Sequence, residues 1–192
     1  SAVGDTIASV AVPFAIIALG GGAADIGLVL GARAVPLVLF LLVGGVWADR
    51  LPRRTVMIAS DVVRAACQAA FAAVLIAGVG GVPAIVAITF VYGAAEAFFR
   101  PALSGIVPQS VSPGRLQEAY GLIAITPAVG MMFGGILGGT AVALISPAGA
   151  IAIDAATFVL AAILLAGARF RAVATAEPGG SFLRDLRDGW NA

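Results

Sequence analysis

The chain has 192 residues, of which 61% are hydrophobic and 11% charged, where an ordinary soluble domain carries roughly 25% charged residues. With a mean hydropathy of +1.08 and a formal net charge of +1, a water-soluble fold of this length could not hide its apolar surface, and no nucleic-acid partner is expected. Cys67 is the one cysteine and histidine is absent, which excludes a disulfide framework, argues against a zinc or haem site and leaves no cofactor expected.

Apolar runs of about 20 residues recur with turn residues between them, the length a helix needs to cross about 30 Å of hydrocarbon. They lack the alternating period of a barrel strand, so the sequence predicts an all-α membrane protein with six spanning helices in a lipid bilayer. The first run covers about residues 2–19 and ends at Gly20, Gly21 and Gly22. It begins abruptly, without an initiator Met or a basic leader, and we expect the natural chain to extend upstream. The second covers about 26–48 and is closed by Asp49, Arg50, Leu51, Pro52, Arg53 and Arg54. The third spans about 56–77, and Gly78 to Pro83 form the turn after it. A fourth run, about 84–103, leads into a polar loop with Pro108, Pro113 and Arg115. The fifth, about 119–145, is stopped by Ser146 and Pro147, and the sixth, about 150–168, meets Arg169 and Arg171.

Basic residues are retained on the cytoplasmic side. Arg50, Arg53, Arg54, Arg100, Arg115, Arg169, Arg171, Arg184 and Arg187 all lie at the ends of even-numbered runs or beyond the last one, while Asp25 is the single charge in the opposite loops. Both chain ends are therefore expected to face the cytoplasm. Residues 1–172 read as the six-helix bundle and 173–192 as the start of a cytoplasmic central loop. Within that loop Phe182, Leu183, Leu186 and Trp190 recur at helical spacing, which predicts a short helix in the membrane interface. Pro36 with Gly44 and Gly45 in the second run is echoed by Pro127 with Gly134 and Gly135 in the fifth. Such an echo points to two three-helix repeats.

The loop between the second and third helices carries the most specific pattern: Gly45, an acid four residues on at Asp49, a basic residue at Arg50, and the final pair Arg53 and Arg54. It resembles the signature loop of the major facilitator superfamily (MFS), with Pro52 standing where the commonest form has glycine. The resemblance implies one six-helix half-bundle of that fold, built from two inverted repeats. It also implies that the Gly45 to Arg54 loop is a gate, latched against a second, carboxy-terminal half. Gly45 lets another helix backbone approach closely, and Asp49 suits the positive N-terminal end of a neighbouring helix. Further segments resemble the branch with the enterobactin exporter and macrolide efflux proteins. They are Gly4-Asp5, Ala32 to Pro36, Phe99 to Ala102, and Ile153 to Phe158. Thr126 to Gly130 in the fifth helix matches the proline and glycine motif of drug antiporters only in part.

Ionisable side chains at membrane depth are costly and are usually paired or functional. Asp61 and Arg64 lie three apart, and Glu96 and Arg100 four apart with the acid first, the favourable order on a helix. Both acids fall about 10 Å from the cytoplasmic ends of their runs, and with Asp49 and Arg50 they are expected to form an ion network that either rearranges on gating or braces the fold. Arg33 and Asp154, each about 10 Å from the opposite face, are expected to pair as a structural brace, unless Arg33 reaches Asp25. Asp5 is the candidate for proton coupling or substrate binding, because the first helix lines the central cavity of the family. A carboxyl facing a partly dry cavity can load and release a proton. Pro127, Gly130, Gly134 and Gly135, with Gly138 and Gly139, make the fifth helix smooth, for packing or for gating.

The function expected is transport: secondary active export of a small amphiphilic compound, such as a drug or siderophore, by alternating access and against protons. Rocking needs two bundles around a shared cavity, so a carboxy-terminal half or a second copy is expected as partner. The signature leaves direction open, so an uptake symporter and a nontransporting half-unit stand as alternatives. No catalytic or metal-ligand constellation appears, and no enzyme is expected.

Overall fold

The computed structural model describes residues 2–168, apart from the side chains at 41–50, 109 and 113. Six helices follow one another: α1 Ala2–Ala18, α2 Ala23–Arg50, α3 Arg53–Ala77, α4 Gly81–Ser110, α5 Leu116–Leu144 and α6 Pro147–Gly167, with a 3-10 turn at Pro113–Arg115. All but α1 are long and apolar enough to span a bilayer, and the apolar α1 has 17 residues.

The distribution of polarity is that of a protein dissolved in lipid. Asp61, Arg64 and Asp154 are at most 3% exposed, whereas Ile76, Met131 and Leu144 are more than 70% exposed. In water that arrangement would expose apolar surface far beyond the few hundred Å² that soluble monomers tolerate. In hydrocarbon it is the stable one, since the charges find partners inside and the aliphatic side chains face their own kind.

Turn chemistry sets the ends. At the junction of α3 and α4, Gly78 takes φ +64° and donates its N–H to the Val74 carbonyl, a left-handed helix stop that a side chain would strain. The Ser146 hydroxyl accepts the Gly149 N–H at 3.0 Å ahead of Pro147, and so caps α6. Short glycine-containing turns join α1 to α2 and α3 to α4 at what we term the glycine-rich end, where α5 also turns into α6; the α2–α3 and α4–α5 junctions form the arginine-rich end.

One expected boundary moves. The sequence predicts a stop near residue 103, but α4 continues through Pro101 and Pro108 to Ser110. Each proline frees the carbonyl four residues earlier, which lipid cannot satisfy. For Pro108 that carbonyl belongs to Ser104, and the Tyr120 hydroxyl from α5 donates to it at 3.3 Å. Tertiary contact thus allows a helix that local sequence argues against.

The strongest pairings are α2 with α4, α3 with α6, α1 with α5, α3 with α4 and α1 with α6. Exchanging every helix for the one three places away maps this set onto itself: α2–α4 becomes α5–α1, and α3–α4 becomes α6–α1. Two three-helix repeats produce that pattern. An apolar core at the glycine-rich end, including Ile16, Val29, Phe71, Ile85 and Ile151, ties the repeats together.

Candidate functional site

The longer α4 changes the depth of its charges. Glu96 stands 15 residues after Gly81 and 14 before Ser110, roughly 20 Å from either end and so near mid-height. Gly93, one turn earlier, is where α2 crosses α4: a Cβ there would lie 2.3 Å from the Arg33 carbonyl oxygen and 3.0 Å from Pro36 Cγ. This approach delivers the Arg33 side chain to Glu96. Arg33 Nε donates to Glu96 Oε2 at 2.9 Å, Arg33 Nη2 stands 2.9 Å from the same oxygen, and Arg100 Nη2 stands 2.7 Å from Oε1. Two guanidinium groups therefore share one buried carboxylate.

Asp5 joins this cluster from α1. Its Oδ1 accepts the Tyr92 hydroxyl at 2.5 Å and lies 3.8 Å from Arg33 Nη2. The Arg33 guanidinium carbon lies 4.9 Å from the centre of the Tyr92 ring, within cation–π range. Three helices thus converge on a chain running from Asp5 through Tyr92 and Arg33 to Glu96 and Arg100, and Ala2 packs on Gly130 at the midpoint of α5.

The expected brace between Arg33 and Asp154 does not form. Arg33 is committed to α4 by the crossing at Gly93, while Asp154 on α6 faces α3, where its Oδ2 accepts Gln68 Nε2 at 2.6 Å and its Oδ1 lies 3.2 Å from the Thr157 hydroxyl. Nor does Arg33 reach Asp25, whose carboxylate accepts the Gly22 N–H at 2.8 Å.

The expected ion network resolves into two units. Asp61 and Arg64 pair at 2.5 Å, as their spacing predicts, but the Arg64 guanidinium carbon lies 4.3 Å from the ring centre of Phe99 and 4.4 Å from that of Phe158. Arg64 thus sits between two aromatic rings with Asp61 as its carboxylate partner. The side chains of Asp49 and Arg50 and the surroundings of Gly45 lie outside what is described, as does the amphipathic segment expected over 182–190.

The other two signature arginines are described. Cations at the N-terminus of a helix oppose its dipole, and Arg53 and Arg54 open α3. Both turn to other helices. Arg53 Nη1 donates to the Gly105 carbonyl of α4, with the guanidinium lying over that glycine where any side chain would collide. Arg54 Nε donates to the Leu165 carbonyl at 2.9 Å and Nη2 to the Ala166 carbonyl, both in the last turn of α6, where a helix has carbonyls to spare and favours positive charge. The pair clamps α3 to α4 and α6 at the arginine-rich end.

In the fifth helix the glycines divide by face. Gly130, Gly134 and Gly138 receive Ala2, Thr6 and Ile7 of α1, whereas a Cβ at Gly135 or Gly139 would meet nothing within 4 Å and Pro127 is exposed. Gly135 and Pro127 therefore have no packing role among the described residues; steps of four keep one helix face, and Gly135 is turned about 100° from it. Gly134→Leu is expected to lower stability by about 1–3 kcal/mol through overpacking against Thr6, and Gly135→Leu to cause no loss and a gain of up to about 1 kcal/mol from helix propensity. Thermal unfolding in detergent checks both, and equal effects would contradict the division.

Gln68, Tyr92, Gly93 and Gly105 carry the site without having been singled out as polar partners or crossing points. The first two had a signal: Asp61, Arg64 and Gln68 fall at i, i+3 and i+7, and Tyr92, Glu96 and Arg100 at i, i+4 and i+8, each a single polar stripe.

A helical bundle with an apolar exterior, a buried mid-height ion cluster and an arginine clamp at one end agrees with what comparison with known proteins finds. The chain is 28% identical over 149 residues to the "Uncharacterized MFS-type transporter YkuC" of Bacillus subtilis (strain 168), covering 78% of this chain and 34% of that protein. It is 27% identical over 141 residues to the "Uncharacterized MFS-type transporter YfiS" of the same organism, covering 73% and 33%. The chain thus spans about a third of the length of these curated relatives. The family model described as Major Facilitator Superfamily matches residues 1–190, and the chain belongs to that superfamily, as a multi-pass membrane protein.

Proposed function

We propose that the bundle is one wall of a secondary active transporter that exports a small amphiphilic compound, of the drug or siderophore kind, by alternating access and in exchange for protons. The observation that carries this reading is the cluster of Asp5, Tyr92, Arg33 and Glu96 at mid-height, where ionisable groups serve transport more often than architecture. Asp5 is the coupling carboxylate in this reading: it lies on α1, accepts the Tyr92 hydroxyl and stands 3.8 Å from Arg33, so its charge bears on the contact between α1 and α2. Loading a proton on Asp5 weakens its attraction for Arg33, and a change in that attraction is what α1 and α2 would convert into motion. A second bundle, from a carboxy-terminal half or another copy, supplies the opposite wall of the cavity. The arginine-rich end faces the cytoplasm of the cell that bears the protein in its inner membrane, following the distribution of basic residues.

The test is flux in proteoliposomes holding the complete transporter, with and without an imposed pH gradient. Asp5→Asn is expected to abolish proton-driven export while the protein still inserts and folds. Export that persists undiminished under the gradient would remove Asp5 from the mechanism.

A further inference from the structure

α1 and α2 barely touch beyond the turn that joins them. Between them opens a crevice of about 50 Å³, with α3 and α4 behind it. Towards the glycine-rich end its walls are apolar, at Val29, Phe71 and Ile88; one turn deeper they become polar, at Arg33, Gln68 and Tyr92, with Ser9 and Thr89 on the flanks.

Size decides what this space can hold. Drug-sized ligands occupy about 300–1,000 Å³, so the transported compound does not fit. A water molecule needs about 10–15 Å³ and two to four polar partners, and the crevice offers room for roughly three or four with a guanidinium, an amide, a phenol and two hydroxyls to hold them. Two carboxylates stand one side chain away. The Tyr92 hydroxyl donates to Asp5 at 2.5 Å, and the Gln68 amide donates to Asp154 at 2.6 Å.

We propose that this crevice is water-filled and is the route by which a proton reaches Asp5 from the glycine-rich end, with the Tyr92 hydroxyl as the last relay. The route lies inside one six-helix bundle and needs no second wall. It rests on the reading of Asp5 as the coupling carboxylate. In the transfer, an excess proton on crevice water passes to the Tyr92 oxygen as the Tyr92 hydroxyl proton passes to Asp5 Oδ1. Water loses one proton, the carboxylate gains one, and the phenol is neutral before and after. The charged and titratable groups around the floor are Asp5 from α1, Arg33 from α2, Asp61 and Arg64 from α3, Tyr92 and Glu96 from α4, and Asp154 from α6.

The complete transporter, carrying Cys67→Ala, is tested with Ser9→Cys or Thr89→Cys and a small water-soluble methanethiosulfonate. A thiol reacts as its thiolate, which forms only in contact with water, so Thr89→Cys is expected to react about tenfold faster than Leu164→Cys on the outer face of α6. Slow reaction at both crevice positions would show a dry or lipid-filled gap and overturn the proposal. Tyr92→Phe is expected to cut proton-driven flux by roughly tenfold or more with labelling of Thr89→Cys retained; undiminished flux would overturn the relay. The two readings fail separately. If Asp5→Asn leaves proton-driven flux intact, the coupling assignment falls; if Asp5→Asn abolishes flux and Thr89→Cys is inert, only the crevice route falls.

Discussion

Glu96→Gln is expected to destabilise the bundle by about 3 kcal/mol, the low end of the range for removing one partner of a buried ion pair. The low end applies because the two arginines are not equally trapped. Arg100 is 59% exposed at its side chain and can swing its head towards the arginine-rich end, while Arg33 at 32% keeps the longer contact to Asp5 and the face of the Tyr92 ring. The loss should therefore be assigned mainly to Arg33. Removing both charges, in Arg33→Gln with Glu96→Gln, leaves two amides that can bond to each other, so the double variant should lose less than the sum of the single ones, by about 1–3 kcal/mol. Thermal unfolding of the four proteins in detergent closes the cycle. Additive losses, or a single-variant loss below about 1 kcal/mol as for a surface bridge, would mean that the cluster does not hold α2 to α4.

Gly93→Ala should act on the same contact through the backbone. The added methyl would stand 2.3 Å from the Arg33 carbonyl oxygen, and its other near neighbours, the Arg33 carbonyl carbon and Pro36 Cγ, belong to a stretch of α2 with no flexible side-chain end to yield. To restore ordinary contact the helices must part by about 1 Å. Overpacking of this kind costs about 1–3 kcal/mol. It also carries the Arg33 guanidinium away from Glu96, so proton-driven flux should fall with stability. Gly31→Ala on α2 is the control, because a Cβ there meets nothing within 4 Å. There the better helix propensity of alanine should raise stability by about 0.5–1 kcal/mol. Helix propensity favours alanine at both positions, so a Gly93→Ala variant as stable as Gly31→Ala would mean that the crossing is not tightly packed.

Much of the ion chemistry was legible where partners are close in sequence. Asp61 with Arg64 and Glu96 with Arg100 sit one helical turn apart, and helix geometry alone brings them together. The pairing of Arg33 with Asp154 follows from depth alone, and a fourth helix ending near residue 103 puts Glu96 at the wrong depth. With α4 extended to Ser110, Glu96 moves to the level of Arg33. The signature arginines were placed at a gate, and their described contacts are the carbonyls of Gly105, Leu165 and Ala166, which no charge pattern announces.

The sequence by itself determined the solvent, the order of the six apolar helices and the superfamily, because each of these is written in local runs: apolar length, turn residues and one signature loop. Only the tertiary structure decided which charges meet. In a bundle the partner of a side chain is chosen by where two backbones come closest, and that depends on glycines such as Gly93 and Gly134, whose meaning lies in the helix opposite and not in their own neighbours along the chain.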